Sequence, residues 1–451
     1  MPTMKNVLIV CHAFPPVNII SARRFGLLAP HFESHGWCPW ILTTQASGPQ
    51  CVTIPEKQII RIGRHSYSTN RCLSGQGSAA SVVTPRIKGG RLRNCLLANG
   101  LYSAMIQPTL FTWYPQVRCE TQEIIRRLPT INLVLGSYGP SSSLWLARHL
   151  ANRLHAPWIA DFRDLAALSS DHRNRGIRWL DRQLERRLLS TASAITTVSP
   201  TMLSILSAVY PLPAEVIYNG CDLDPEGIAI EQAGAESKFV SITIDSSAER
   251  VNQLPYLYYA GRFYPHRMAA LWLMMECLQD HRQLHLRIRS LGPAEFDQEI
   301  GRHATEMGVA SQVHLLPPCE PELADREAAQ SVANLVFEDL STVNQHTSGN
   351  ITGKFLKMAT FQPPIISIAR PDSDLGPILN AIQRGRLCST KPELMDCLDL
   401  ALNHPECFTG NLAQLEQFSV RSQARALIKL FNQIAVPETQ GPTVQTTKQT
   451  A

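Results

Sequence analysis

The stretch Thr352-Gly353-Lys354-Phe355-Leu356-Lys357-Met358-Ala359-Thr360-Phe361-Gln362-Pro363-Pro364-Ile365-Ile366-Ser367-Ile368 decides how the chain is read. A small Gly-containing turn opens it. Phe355, Met358 and Ala359 then recur at i, i+3 and i+4, the spacing of one helical face. A Pro-Pro break leads into a β-branched run with the composition of a buried strand. Turn, short helix, proline and strand together are one unit of a parallel α/β sheet. A Gly-Lys pair at a helix start offers free backbone N–H groups, a partial positive charge and a fixed cation, which suits a phosphate. The same residues also serve as one more crossover of the sheet, and the rest of the chain has to decide between the two.

The same alternation runs in both directions. Upstream, Pro255–Ala260 reads as a strand, Gly261–Arg267 as a turn and Met268–Leu278 as a helix. Leu284–Ile288, Val313–Leu316 and Ala333–Phe337 are further strands, separated by helices at 295–307 and near 321–331. Helices at 391–403 and Asn411–Ile434 close the pattern. The N-terminal half has a similar plan. Strand Val7–Val10, a helix from Ser21 with Phe25, Leu28, Ala29 and Phe32 on one face, and strand Trp40–Leu42 make a βαβ unit. Strands Ile131–Ser137, Pro157–Ala160, Ala194–Ser199 and Glu215–Tyr218 follow, with helices at Ser142–Leu154, Arg175–Ser190 and Pro200–Ala208 between them. The charges of the Arg175–Ser190 helix are expected to pair at i, i+4 on a solvated face. Residues 224–250 are rich in small and acidic residues without a period, and mark the boundary between two α/β domains. Residues 436–451 are polar with few apolar anchors and read as a disordered tail.

Composition narrows the classes. With 451 residues the chain exceeds one ordinary core, and 44% apolar against 18% charged residues make it globular. A net charge of +5 does not call for nucleic acid. The twelve cysteines contain no C-x-x-C spacing, so neither a zinc site nor a disulfide framework is expected, and reduced thiols in a cytoplasmic protein are. The first apolar run is too short for a secretory leader. No window reaches ~18 uninterrupted apolar residues. Between Lys57 and Cys119 there is no Asp or Glu. Arg86, Lys88, Arg91 and Arg93 lie there, followed by Leu96, Leu101, Tyr102, Met105, Ile106, Leu110, Phe111, Trp113 and Tyr114. Residues 57–118 therefore suit either an anionic membrane surface on the inner face, or a solvated basic loop leading into a core helix.

Several local motifs resemble GT4-type glycosyltransferases of bacterial polysaccharide pathways. Val7–Pro16 with Arg23-Arg24 is similar to their opening strand and aromatic-Pro-Pro loop. Trp158–Asp164 resembles a strand ending in D-x-R-D, and Val216–Asp222 an I-x-N-G-x-D segment. Ile195–Pro200, Tyr259–Arg262 and Thr352–Lys354 resemble further turns of the group, and the order fits over residues 5–434. The resemblance implies a GT-B fold: two Rossmann-like doubly wound domains facing a cleft, with a C-terminal helix packing back on the first. Residues 1–223 plus a crossing helix at about 411–434 would form the acceptor domain, and 251–410 the donor domain. It also implies retaining transfer from a nucleotide-diphosphate sugar to a glycan or polyprenyl-lipid-linked acceptor, without a cofactor and without required metal. Gly261, Arg262, Arg267, Thr352, Gly353, Lys354 and Lys357 would then face the donor, and His12, Pro16 and Arg23 the acceptor or its loop. Asp161 and Arg163 would stand beside the reacting centre, unless they form a structural clamp. A catalytically silent GT-B protein that binds or scaffolds in such a pathway is the alternative.

Two departures bear on that choice. Relatives of this kind carry Gly-Lys-x-x-Glu-Tyr, and here the Glu position, which would accept hydrogen bonds from the donor ribose, is Lys357. A lysine has donors and no acceptor. Where glycines often let the N-terminal loop approach a ligand, this chain has Val17-Asn18-Ile19-Ile20.

Overall fold

The computed structural model describes residues 4–17, 19–46, 52–64, 102–169, 174–223, 254–341, 349 and 351–435. Two parallel sheets organise it. The first has seven strands in the order β3-β2-β1-β4-β5-β6-β7: Lys5–Val10 (β1), Trp37–Gln45 (β2), Ile59–Arg64 (β3), Leu133–Ser137 (β4), Trp158–Phe162 (β5), Ala194–Thr197 (β6) and Ala214–Val216 (β7). The second has six in the order β10-β9-β8-β11-β12-β13: Tyr256–Gly261 (β8), His285–Ser290 (β9), Val313–Leu316 (β10), Ala333–Phe337 (β11), Ile365–Ile368 (β12) and Gly385–Cys388 (β13). Every strand pair is parallel. Strands with helices on both faces must be apolar on both faces, which is why Val7–Val10 and Ile365–Ile368 are continuous runs rather than alternations.

In each sheet the strand order reverses once, between β1 and β4 in the first and between β8 and β11 in the second. At such a point the loops leaving the carboxyl ends of neighbouring strands diverge and leave a crevice. The two carboxyl edges face each other. Thr201, at the start of the Pro200–Ser207 helix in the first domain, donates its backbone N–H and its hydroxyl to the Asp374 carboxylate of the second, both at 2.9 Å.

The Val420–Ile434 helix returns to the first domain. Its Leu427, Ile428, Leu430 and Phe431 are buried against Phe25, Phe32 and Trp37, and each such side chain contributes about 1.5–3 kcal/mol on burial. The phenyl ring of Phe431 meets Phe32 and Trp37 edge-on at 5.6 and 5.2 Å. The chain crosses between the domains where Cys221 pairs with Ser419.

The structure adds elements that the sequence pattern left irregular. Residues 45–130 hold β3 and the helices Thr109–Cys119 and Thr121–Arg127, and the segment after β12 holds the Leu375–Ile382 helix and β13. Strand β13 has only Leu387 and Cys388 as apolar residues, too few for a readable period. The single C-terminal helix expected over Asn411–Ile434 is two helices, Leu412–Glu416 and Val420–Ile434, because Ser419 caps a new start. The charged helix also differs from expectation. It runs Arg175–Leu189, and its acids do not pair on a solvated face: Asp181 and Glu185 are fully buried. Trp113 and Val117 are core residues as well, so the Thr109–Cys119 helix is packed rather than free. The boundary at 224–250, the tail at 436–451 and Arg86, Lys88, Arg91 and Arg93 lie outside the described residues. Among the described cysteines, Cys119 and Cys407 are exposed and Cys11, Cys221, Cys277, Cys388 and Cys397 are buried, all as free thiols. Among the described residues no helix is long and apolar enough to cross a membrane.

Candidate active site

Two groups of side chains line the facing sheet edges. On the first domain the centre is Asp161, the fourth residue of β5, fully buried. Arg24, from the Ile20–Leu28 helix, donates to both its oxygens, Nε to Oδ2 at 3.2 Å and Nη2 to Oδ1 at 2.7 Å. Ser137 of β4 and Thr196 of β6 add hydroxyl donors at 3.0 and 2.8 Å. The carboxylate thus ties three neighbouring strands, β4, β5 and β6, to a helix. The arginine continues to the Tyr218 carbonyl at 3.2 Å and the Asn219 side chain at 3.3 Å, on the segment leading out of the domain. A buried bidentate pair with two further donors satisfies both carboxylate oxygens with charge-assisted hydrogen bonds. Asp161 therefore acts on neighbouring strands. Asp161 is paired with Arg24 and not with the Arg163 of the clamp weighed from the sequence. Arg23, the neighbour singled out from the sequence, is exposed.

Arg163 lies just beyond β5 and donates Nη2 to the Tyr138 carbonyl at 2.8 Å, on the loop after β4. That loop turns at Gly139, whose φ of +105° favours glycine, and a Cβ there would stand 2.3 Å from Arg163 Nη2. Opposite, Arg61 of β3 donates Nη2 to the Pro15 carbonyl at 2.8 Å, on the loop after β1. Two guanidiniums thus lean from either flank onto the loops that border the crevice between β1 and β4. Arg163 Nε and Arg61 Nη1 make no further hydrogen bond. Between them the Cys11 thiol, buried, is pushed up to about 12 by desolvation despite the opposing pull of Arg163 and Arg61. His12 is buried, packs edge-on to Trp113 at 5.1 Å, and offers its carbonyl to Thr44 at 2.7 Å. Pro16 sits half-buried on the same loop.

On the second domain the cluster stands at the crevice between β8 and β11. Thr352 caps the Gly353–Met358 helix through Phe355 N–H at 3.3 Å. The helix has only six residues, so its dipole is short, and most of the positive charge comes from side chains. Lys354 reaches back to place Nζ 2.6 Å from the Ala260 carbonyl at the end of β8. Gly261 leaves room for it: a Cβ there would lie 3.3 Å from Lys354 Nζ and 2.7 Å from the Tyr259 hydroxyl. Desolvation, and then the nearby Arg267, lower the Lys354 pKa from 10.5 to about 8. The residue as a whole is exposed to the cleft, so solvent there tempers the shift. Arg267 pairs with Glu338, buried at the end of β11, at 3.2 Å, and its guanidinium lies over the Tyr264 ring. Arg262 is exposed and also stacks on Tyr264. Lys357 turns away, to Asp325 at 2.5 Å on the Pro321–Ala329 helix.

The structure thus brings Gly261, Arg267 and Lys354 together with Thr352 and Gly353, sets Arg262 at the rim, and turns Lys357 outward. It adds Arg24, Arg61 and Glu338, which sequence reasoning passed over. Arg24 had a signal, its place in the quoted Arg23-Arg24 pair. Glu338 had only its position after a strand. Among the described residues no group of His, Cys, Asp and Glu is arranged to hold a metal ion.

Residues 62–225 match the model of Glycosyltransferase Family 4, about a third of the chain. A comparison with curated protein sequences finds no match. Among solved structures the chain is similar to sucrose-phosphate synthase from Thermosynechococcus elongatus, with a TM-score of 0.59 at 13% identity over 95% of this chain and 98% of that one. It is similar to HepE of Anabaena in complex with UDP and glucose, with a TM-score of 0.58 at 11% identity over 95% and 100%. A glycosyltransferase from Rickettsia africae gives a TM-score of 0.55 at 13% identity over 96% and 99%. Two switch-point sheets with facing carboxyl edges, a returning C-terminal helix and these likenesses over nearly the whole chain give the protein the GT-B fold, with a segment that matches Glycosyltransferase Family 4.

Proposed function

We propose that this protein is a glycosyltransferase that takes a sugar from a nucleotide-diphosphate sugar. The observation that carries the reading is the convergence of Lys354 and Arg267 at the β8/β11 crevice, with Gly261 keeping the space beside Lys354 open. Two fixed cations in a partly desolvated cleft suit a diphosphate. As the bond to the sugar breaks, charge grows on the β-phosphate oxygens, and preformed cations stabilise it without reorganising. In this reading they take the place of a metal ion. Structural relatives crystallised with UDP, with UDP and glucose, and with UDP-glucose support a uridine nucleotide as the first donor to try.

The acceptor, a glycan or lipid-linked sugar of polysaccharide assembly, is assigned to the β1/β4 crevice, where Arg61 and Arg163 flank the opening. Transfer with retention fits a site in which positioning and leaving-group stabilisation dominate. Asp161 is then a positioning residue, holding β4, β5 and β6 and Arg24 in register. The test is a panel of UDP-, GDP- and dTDP-sugars titrated by calorimetry. Binding of one class, abolished or weakened by Lys354→Ala, supports the reading, and failure of all three overturns it.

A second reading, binding without transfer, is favoured by one observation. Lys357 stands where a ribose-binding carboxylate is expected, and it is engaged with Asp325. A nucleotide sugar that binds but is never turned over or hydrolysed, with any acceptor supplied, would select it.

A further inference from the structure

The Arg175–Leu189 helix presents an unusual surface. Its two acids point inward. Asp181 accepts from the Ser103 hydroxyl and from the backbone N–H groups of Ala104 and Met105, the latter two at 2.8 and 3.3 Å. Glu185 accepts from Ala167 N–H at 3.0 Å and from the Tyr210 hydroxyl at 2.5 Å. What the helix exposes is therefore cationic: Arg175, Arg182, Arg186 and Arg187 are exposed and Arg178 is half-exposed. Among them Trp179 is 63% and Leu180 38% exposed. Arg175, Trp179, Arg182 and Arg186 recur at i, i+4, i+7 and i+11, so they share one face, distinct from that of the buried Asp181, Glu185 and Leu188.

The same end of the domain continues the pattern. The Asp181 bonds hold residues 103–105 against the helix, and the next residue, Ile106, is 38% exposed. Gln107 and Thr109 are tied to Ser141 and Ser142, at the start of the Ser142–Leu154 helix, by hydrogen bonds of 3.2 and 2.9 Å. One half-turn on, Phe111 is 70% exposed. The Asp181 bonds thus join the helix to residues 103–105, and the chain continues from there to Ile106 and Phe111. The helix starts beyond the carboxyl end of β5 and runs back toward the start of β6. The exposed described acids nearest in sequence to these segments are Asp164 before the helix and Glu120 and Glu123 after Phe111, and the arginines outnumber them.

From this surface we infer that the protein docks on an anionic phospholipid membrane through the outer face of the Arg175–Leu189 helix together with Ile106 and Phe111. Arginines attract lipid phosphates and carry their aliphatic stems to the interface, while an indole and a phenyl ring enter the headgroup layer. An acidic protein would meet the charge. It would not call for exposed Trp179 and Leu180 on the helix that carries the arginines. Docking there sets the acceptor crevice at the lipid surface, so that an acceptor with a lipid tail could reach it without leaving the membrane. The membrane surface expected from residues 57–118 is thereby extended to a helix that the sequence suggested was merely solvated.

The test uses the full chain and extruded vesicles of phosphatidylcholine alone or mixed with phosphatidylglycerol. Cosedimentation is expected only with the anionic vesicles, and weaker at high salt. Arg182→Glu with Arg186→Glu should weaken it about fivefold or more per residue. Trp179→Ser, with all charges retained, should weaken anionic binding and remove a blue shift of tryptophan emission on vesicle addition. All three positions are exposed, so thermal melting and nucleotide binding should be unchanged in the variants, which separates this inference from the proposed transfer activity. No binding to anionic vesicles, or binding indifferent to both variants, overturns it. Salt-sensitive binding to soluble polyglutamate with none to vesicles would overturn it in favour of an acidic protein partner.

Discussion

Replacing Arg24 by methionine removes the cation from a pair in which neither side chain has any solvent exposure. Asp161 would keep the Ser137 and Thr196 hydroxyls at 3.0 and 2.8 Å, but would be left as a carboxylate inside a sheet with no counter-charge. Breaking a buried pair from one side costs about 3–5 kcal/mol. In a domain of this size each kcal/mol moves the midpoint by about 2–4 °C, so the first domain of Arg24→Met should melt about 6–20 °C lower. Asp161→Asn should cost a similar amount, because the buried guanidinium then loses its anion and one of its two acceptors at position 161. The double variant should recover part of the loss, since it strands no charge, and the coupling in the cycle measures the pair. The assay is differential scanning calorimetry together with urea unfolding followed by tryptophan fluorescence. Turnover with a nucleotide sugar is measured well below the lowered midpoint. If Asp161→Asn leaves the midpoint unmoved while turnover collapses, Asp161 acts on substrate and the positioning role is refuted.

Lys354→Ala should weaken UDP binding by roughly 1.5–3 kcal/mol, one charge-assisted contact, as read by calorimetry. Desolvation and Arg267 lower the Lys354 ammonium from 10.5 to about 8, a shift tempered by its exposure to the cleft, so its positive charge is present at neutral pH and lost as pH rises through the lowered value. UDP affinity of the parent protein should accordingly fall between pH 7 and 9, and Lys354→Ala should flatten that slope. A slope unchanged in the variant would assign the titration elsewhere. Lys357→Ala should change stability by no more than about 1 kcal/mol, the worth of a partly exposed pair, and should leave UDP affinity unchanged. A tenfold loss would place Lys357 on the phosphates after all. Gly139→Ala should raise the KM for acceptor and spare donor binding, because the new methyl displaces the Arg163 guanidinium. A loss confined to donor binding would contradict the acceptor assignment of that loop.

The contrast between Arg23 and Arg24 illustrates what kind of information each level holds. Both sit in one helix and have the same chemistry. Only the 100° turn between them makes one solvent-facing and the other the partner of a residue 137 positions away. The Arg175–Leu189 helix repeats the lesson. Its sequence alternates acid and base in a manner that suggests surface pairs, but both acids are buried, Asp181 accepting from backbone N–H groups some eighty residues earlier and Glu185 from Ala167 and Tyr210. Strand β13 was illegible for a different reason: a short run with two apolar residues is held by register with β12 rather than by its own period.

The Thr352–Ile368 stretch and its repeats were sufficient to specify two parallel α/β domains, because buried parallel strands and amphipathic crossovers leave a local pattern in the chain. The carboxyl-end turns at Gly261 and Gly353-Lys354 were legible on the same local grounds. Which side chains converge was settled only by the tertiary structure. It brings Lys354 to Ala260 across 94 positions and Arg267 to Glu338 across 71, and it turns Lys357 toward Asp325. Local patterning records whether a residue faces a core. It does not record which distant charge it meets there, because that depends on strand order and on where each crossover returns.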